Sequence, residues 1–487
     1  MKGPEVTIAE YGAAETVPGS KLLLCVDGKN ILIDMGKDYS HETKMLPFNP
    51  KSIDAVVLTH GHLDHIGELM NLNRAFDGPI HATPETYDIT EMQLKQDVGS
   101  VYMYNKSIRG KRIQFGPKKG EYVPFKKAEY TTDDVNKTMA QVLQHDYHEQ
   151  FQLPNATATF YDAGHIPGSA QILFTIDTKE GPKKLLTSFD LGRTDYKILG
   201  HPVADIPLVR YPETEFPGDI DYIVIESTYG NRVHGPLEES ISTLEKAVQD
   251  TYDQKGRLII PAFSIMRTHM LWNFLYRLHE EGRLPEMPIY SSSPTANTVS
   301  RIILKHIKDL DERALEEFER KNNNPFEFPG LIHHKKMAET YEVLDNAQPP
   351  YAIIASSGMC EMGRVVPILA KTISNPTTMV LLTGYASPGT RADALKRGAK
   401  EIYFDGEMIE NNAEVRKMGG LSGHADKDEI IAHLKHIHPP GQGKQFKGIF
   451  IKHGEKEACY ALRDSIIEAG YAPETVIVMK KGVKYEI

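Results

Sequence analysis

Thr59-His60-Gly61-His62-Leu63-Asp64-His65 follows directly on Asp54-Ala55-Val56-Val57-Leu58, a β-branched run without a turn residue. That run reads as a buried strand that ends where the first histidine stands. His60 and His62, two apart on an extended strand end, share a face and can present imidazoles to one metal, while Asp64 and His65 turn toward a second. Histidine nitrogen and carboxylate oxygen are the usual ligands of catalytic zinc, which keeps a position open for water. The plain alternative is a polar loop that happens to be rich in histidine. With 20 His in 487 residues, four potential ligands within six positions speak against it. The stretch reads as half of a two-metal hydrolytic site.

The same arrangement recurs on both sides. Asn30-Ile31-Leu32-Ile33 ends at Asp34, Ala158-Thr159-Phe160-Tyr161 leads into Asp162-Ala163-Gly164-His165, and Lys184-Leu185-Leu186-Thr187-Ser188-Phe189 ends at Asp190. A lone Asp after a strand is ordinarily a turn or helix cap, and a lone His in a Gly-Pro loop is ordinarily nothing. Their repetition at successive strand ends makes them candidates, because sites in layered α/β folds gather where strand-end loops converge. After about residue 409 the rhythm returns with Ser422-Gly423-His424-Ala425-Asp426, a helical stretch from Asp428 to His436, and Gly448-Ile449-Phe450-Ile451 running into Lys452-His453-Gly454-Glu455.

Between these parts, roughly 227 to 408, strand runs alternate with long helical patterns, the signature of a parallel sheet flanked by helices. Leu258-Ile259-Ile260 precedes Pro261-Ala262-Phe263, after which Ser264 is expected to open an amphipathic helix. Other runs end in Ser291-Ser292-Ser293, Ser356-Ser357-Gly358 and Thr383-Gly384-Tyr385. Such ends suit backbone and hydroxyl contacts to phosphate where a helix N-terminus follows, although ordinary βα-loop chemistry explains any one of them alone. The expected organisation is a metal-binding unit over 1–226 and 409–487, with 227–408 inserted between its strands.

Composition excludes other classes. The chain is 40% hydrophobic and 25% charged, as ordinary globular proteins are. No apolar run reaches the 18 or so residues of a membrane span, and the first residues lead into no signal-peptide core. The expected setting is therefore cytoplasmic, away from membranes. Cys25, Cys360 and Cys459 stand far apart, which speaks against a zinc ribbon, a redox motif or a disulfide framework. A net charge of −10 disfavours non-specific nucleic-acid binding, so a nucleic-acid substrate needs local positive charge. One stretch offers it: Lys106, Arg109, Lys111, Arg112, Lys118, Lys119, Lys126 and Lys127 against Glu121 alone, equally readable as a solvated loop.

Taken in order, these motifs resemble the β-CASP nucleases of the metallo-β-lactamase superfamily, from about Asp34 to Glu455. The superfamily set is Asp34, His60-x-His62-x-Asp64-His65, His165 and Asp190; the β-CASP set is Glu226 in Glu226-Ser227-Thr228-Tyr229-Gly230, His424 in Ser422-Gly423-His424, and His453 in Lys452-His453-Gly454-Glu455. The resemblance implies an α/β protein: a four-layer αβ/βα sandwich with an inserted β-CASP domain. It also implies two Zn2+ per chain, one held by His60, His62 and His165, the other by Asp64, His65 and His453, with Asp190 bridging. Asp34 would orient ligands and Glu226 would orient His424 or the ligand histidines. Candidate substrate contacts are Arg267, Ser291, Ser356, Ser357, Gly358, Tyr385 and Thr390.

Phosphodiesters resist hydroxide and expel a poor leaving group, so a catalyst must form a nucleophile at neutral pH and neutralise phosphoryl charge; a metal-bridging water and paired metals supply both. His424 is assigned as the third element: an imidazole of near-neutral pKa can protonate the leaving oxygen or hydrogen-bond the non-bridging oxygen. A histidine at position 453 marks the RNA-processing branch of the family, so the expected substrate is single-stranded RNA, cut internally or from the 5′ end to leave 5′-phosphate and 3′-hydroxyl. The pattern departs from the family at Met266-Arg267-Thr268-His269, where Gly-Arg followed by Thr/Ser-Gln is usual, and in a longer loop carrying Pro439-Pro440-Gly441. The chain is also expected to lack the N-terminal RNA-binding domains of archaeal relatives and the long C-terminal dimerisation region of ribonuclease J. Competing readings are a small-molecule hydrolase of the same superfamily, a DNA-directed β-CASP nuclease and an inactive RNA-binding subunit. Whether the chain works as a homodimer or within an RNA-processing complex stays open.

Overall fold

The computed structural model describes residues 5–38, 46–108, 129–178, 181–193, 212–307, 324, 326–384, 386, 389–404 and 406–487, with backbone only at 100 and 102–108. The basic side chains between 106 and 127 and Tyr385 lie outside the described residues. No helix among those described is long and apolar enough to cross a membrane.

Two seven-stranded sheets form the base. The first holds β1 (Val6–Glu10), β2 (Leu22–Val26), β3 (Lys29–Ile33), β4 (Ala55–Val57), β5 (Ile80–Ala82), β6 (Val142–Gln144) and the C-terminal β22 (Lys484–Glu486), in the order β22-β1-β2-β3-β4-β5-β6. The second holds β7 (Gln150–Leu153), β8 (Ala156–Asp162), β9 (Ala170–Thr178), β10 (Gly181–Ser188), β11 (Tyr222–Ile225), β20 (Gly448–Ile451) and β21 (Val476–Val478), in the order β21-β20-β11-β10-β9-β8-β7. Period-two alternation sorts their side chains into layers. Ile31, Ile33, Ala55 and Val57 face Phe160, Ile172, Phe174, Leu185 and Phe450 in the core between the sheets. Their neighbours Leu32 and Val56 point outward onto helices carrying Ile66, Leu69, Leu94 and Val135. On the second sheet Leu186, Ile223, Ile225 and Ile449 pack against Ile430, Leu434, Leu462 and Ile466 of the helices Lys427–Ile437 and Lys456–Glu468. The result is the expected αβ/βα sandwich.

A third sheet is wholly parallel: β12 (Arg257–Pro261), β13 (Ile289–Ser292), β14 (Leu331–His333), β15 (Tyr351–Ala355), β16 (Thr378–Leu382) and β19 (Glu414–Lys417), in the order β14-β13-β15-β12-β16-β19. Between β16 and β19 a separate antiparallel hairpin pairs β17 (Glu401–Phe404) with β18 (Glu407–Glu410). Both faces of the parallel sheet are covered, so its strands read as continuous apolar runs. Its last strand, β19, follows residue 408, where the inserted unit is expected to end, and pairs in parallel with β16. The helix expected from Ser264 starts instead at Arg267, because Met266 is left-handed (φ 61°) and breaks the helical repeat.

The C-terminal part is tied to the N-terminal part by a buried ion pair. Lys452 Nζ lies 2.5 Å from Glu10 Oε2, donates to Ser20 Oγ at 2.7 Å and sits 3.8 Å from the Phe189 ring centroid. Glu10 Oε1 accepts the backbone N–H groups of Gly12, Ala13 and Lys21. Burial pushes the Glu10 carboxyl up, and the charge and hydrogen bond of Lys452, together with the Lys21 and Gly12 N–H groups, outweigh it and hold the carboxyl below its ordinary value. Lys452→Met alone should leave Glu10 uncompensated and cost about 3–5 kcal/mol in urea denaturation. Glu10→Gln added to it keeps the three backbone acceptances and should recover most of that loss.

Candidate functional site

The sheet topology brings the candidate ligands to one side. β10, β11 and β20 are mutually parallel, β8 runs with β10 because each is antiparallel to β9, and β3 runs with β4. Asp34, His60, His165, Asp190, Glu226 and His453 follow these strands at their C-terminal ends. Three of them, Asp34 (φ 62°), Asp190 (φ 41°) and His453 (φ 52°), occupy the left-handed region that non-glycine residues rarely adopt. Strained backbone of this kind persists where surrounding contacts over-determine it, and it concentrates at functional sites.

His60, His62, His165 and Asp190 form one group. His62 Nδ1 lies 3.1 Å from both His60 Nε2 and His165 Nε2, and Asp190 Oδ2 lies 3.3 Å and 3.6 Å from those two Nε2 atoms. His165 Nδ1 donates to the Gly423 carbonyl (2.8 Å), which leaves Nε2 as the lone pair turned inward. Burial and neighbouring imidazoles lower His60, His62 (to about 3) and His165, so these rings are neutral and their lone pairs are available.

Asp64, His65 and His453 form the second group. His65 Nε2 and His453 Nε2 are 3.2 Å apart, Asp190 Oδ1 lies 3.2 Å from the former, and Asp64 Oδ2 lies 3.7 Å from the latter. Burial pushes the carboxyls of Asp190 and Asp64 up, but the surrounding histidines, His453 foremost, lower both. Asp190 thus touches both groups, and its buried Oδ1 has no hydrogen-bond donor. Imidazole nitrogens at hydrogen-bond distance from one another, converging on a carboxylate, are the donor set of a divalent cation. The residues therefore fit the metal that the motifs imply.

Asp34 supports both groups without joining either. Its Oδ2 lies 2.6 Å from His65 Nδ1, and its oxygens accept from the Thr59 N–H and hydroxyl. Thr59 Oγ1 also lies 3.1 Å from His60 Nδ1, so one hydroxyl links the carboxylate to ligand candidates of both groups. Thr228 Oγ1 contacts His453 Nδ1 at 3.1 Å. Sequence reasoning passed over Thr59, Thr228, Ser20 and Lys452; the position of the first directly before His60 was the available signal.

His424 stands beside the first group, its ring centroid 4.5 Å from that of His165. Its Nδ1 is 3.1 Å from both oxygens of the buried Glu226, which also accepts the Leu191 and Thr228 N–H groups. Burial pushes the His424 imidazolium down, and the charges of Glu226 and Asp190 outweigh it and hold the group up at about 9.

In the inserted unit, Arg267 and Gly358 lie against Phe263, and Ser356 and Ser357 follow β15, whose end pairs with that of β12. The Arg267 guanidinium lies 5.3 Å from the Phe263 centroid and donates to the Thr383 carbonyl at 2.9 Å. A Cβ on Gly358 would sit 3.1 Å from the Phe263 ring, and one on Gly384 would collide with Arg267. Thr390 is placed differently, its hydroxyl accepting from Asp393 N–H as the cap of the helix Arg391–Lys396. Ser291 lies inside the sheet with its hydroxyl buried and is withdrawn from solvent, contrary to the expectation of a substrate contact. His269 is buried as well, its Nε2 3.0 Å from the Ala296 carbonyl.

A four-layer sandwich with this donor set at its strand ends defines a metal-dependent hydrolase of the metallo-β-lactamase fold. Family models agree in three segments: Metallo-beta-lactamase superfamily over 16–137, Beta-Casp domain over 268–395, and Zn-dependent metallo-hydrolase RNA specificity domain over 408–479. The chain is 30% identical to Ribonuclease TTHA0252 of Thermus thermophilus, over 93% of this chain and 94% of that one. It is 28% identical to the transcription termination factor FttA of Methanosarcina mazei, over 95% of this chain and 69% of the other, and 26% identical to an RNase J-like protein of Methanocaldococcus jannaschii, over 93% of each. A crystal structure of a protein of unknown function from Enterococcus faecalis superposes with a TM-score of 0.51 at 12% identity, over 99% of this chain and all of that one, which speaks for the fold alone. The chain belongs to the β-CASP ribonucleases of the metallo-β-lactamase superfamily. Because Asp34 aligns His65, Asp34→Ala should weaken divalent-metal binding by roughly 10- to 100-fold in chelator competition while the fold survives.

Proposed function

We propose that the protein is a two-zinc ribonuclease that hydrolyses single-stranded RNA to 5′-phosphate and 3′-hydroxyl products. One observation carries the reading: seven donor residues fall into two groups joined by Asp190, with His424 beside them. His60, His62 and His165 would hold one Zn2+, Asp64, His65 and His453 the other, with Asp190 shared. Bound in this way, a zinc pair supplies a nucleophile from water at neutral pH and neutralises charge on the phosphoryl oxygens. The chain's own part is positional. Asp34 and Thr59 fix the histidine rings, Glu226 holds His424 protonated, and His424 donates its proton to the departing 3′ oxygen. Arg267, Ser356, Ser357 and Gly358 would bind the RNA backbone. The inserted unit, taken as 227–408, would close over a site built from the flanking segments.

The purified protein should carry about two zinc ions per chain and cut single-stranded RNA but not DNA, with activity lost to chelators. Asp64→Ala and His65→Ala should abolish cleavage. His424→Ala should slow it strongly with zinc content near that of the unaltered enzyme; zinc loss in that variant would mean that the residue is a ligand and not an acid. An acid must hold its proton, so kcat should fall as pH rises through the His424 pKa. Glu226→Gln removes the charge that raises this pKa, and the descending limb of the pH profile should move to lower pH.

A further inference from the structure

The chain runs into the inserted unit through residues 227–236 and out of it through 418–426, and these segments are stitched side by side. Tyr229 and Asp426 form a parallel bridge, the Lys427 N–H donates to the Arg232 carbonyl (3.2 Å), and the Ser240 hydroxyl donates to the Gly419 carbonyl (2.5 Å). His234 stands at the centre of this seam. Its N–H donates to Asp426 Oδ2 (2.8 Å), while Asp426 Oδ1 accepts from the N–H groups of Asp428 and Glu429. Its ring lies against Tyr229 (centroids 4.6 Å apart), and Tyr229 in turn carries the Arg232 guanidinium at 4.6 Å. His234 Nε2 is 3.1 Å from the carbonyl oxygen of His424. A carbonyl only accepts, so Nε2 carries the proton and donates it. His424 is therefore gripped twice: Glu226, at the end of β11, holds its ring, and His234, on the way into the inserted unit, holds its peptide.

We propose that His234 is a positioning residue for the acid: it fixes the His424 backbone from the segment leading into the inserted unit, so the place of the acid follows the place of that unit. The proposal rests on the reading of His424 as the acid. Proton transfer demands hydrogen-bond reach to the leaving oxygen, and small misplacements of a reacting group are costly. A merely structural His234 would lower stability and reduce activity equally whether or not the acid is present.

The test is a double-mutant cycle on the zinc-loaded enzyme, with kcat and KM for a single-stranded RNA, zinc content and thermal midpoint recorded for each variant. His234→Ala should lower kcat on the order of tenfold or more with KM and zinc content unchanged. His234→Gln, whose amide N–H reaches toward the same carbonyl, should recover most of the rate. In a His424→Ala background the His234→Ala change should cost nothing further. An equal fold-loss in both backgrounds, or a loss confined to KM or zinc, would overturn the positioning role while leaving the acid assignment intact. An unchanged rate in His424→Ala alone would overturn the acid assignment itself and the proposal with it.

Discussion

The buried carboxylate of Asp190 is the constraint on which the rest of the site depends. It is about 1% exposed, and its two oxygens lie within 3.6 Å of nitrogens from His60, His65, His165 and His453. A lone carboxylate in that position would be expensive to bury, and four imidazoles without it would hold no common centre. Each therefore justifies the other, and the left-handed turn at Asp190 is what aims the carboxylate at both groups at once. The same device at Asp34 and His453 indicates that the strand ends are bent to suit the site, with the sheets supplying the rigidity that holds the bends.

That rigidity is assembled from distant parts of the chain. β20 lies between β11 and β21 in the second sheet, so the sheet is incomplete until residues after the inserted unit arrive. His453 also donates its backbone N–H to the Ala13 carbonyl, and Lys452 reaches Glu10 and Ser20. The second group, which includes His453, thus cannot form from the N-terminal half alone. Sheets closed by such remote segments fold late, because loop closure must precede the contacts that reward it. The buried Glu10–Lys452 pair gives that closure a definite register: a one-residue slip would leave two buried charges unpaired.

The candidate donor residues that the fold gathers can be picked out in the sequence because apolar runs stop abruptly at Asp and His, a pattern that burial and strand geometry impose directly. What could not be read has equally physical reasons. β19, Glu414-Val415-Arg416-Lys417, is an edge strand largely open to water, so it lacks the apolar signature of its neighbours and its pairing with β16 leaves no mark in the sequence. The helix start was misplaced because a left-handed Met266 leaves no mark in composition. Ser291 looks like a loop hydroxyl among its neighbours Ser292 and Ser293, yet the strand continues through Ser292 and takes Ser291 inside. Thr59, Thr228 and Lys452 act through contacts between residues far apart in sequence, which periodicity does not reveal.

Charge decides how this site can meet a polyanion. Asp34, Asp64, Asp190 and Glu226 place four carboxylates around the centre of a chain whose net charge is already −10. Without cations that centre would repel a phosphodiester: His60, His62 and His165 are held neutral, and His65 and His424, which the neighbouring carboxylates hold protonated, offset only part of the negative charge. Two divalent cations would add four positive charges in the same place and invert the local field. Metal occupancy would then govern the approach of RNA as well as its hydrolysis, with Arg267 and the Ser356–Gly358 turn adding orientation more than attraction. On the proposed function, a protein of this overall charge would bind nucleic acid through attraction concentrated where the chemistry takes place.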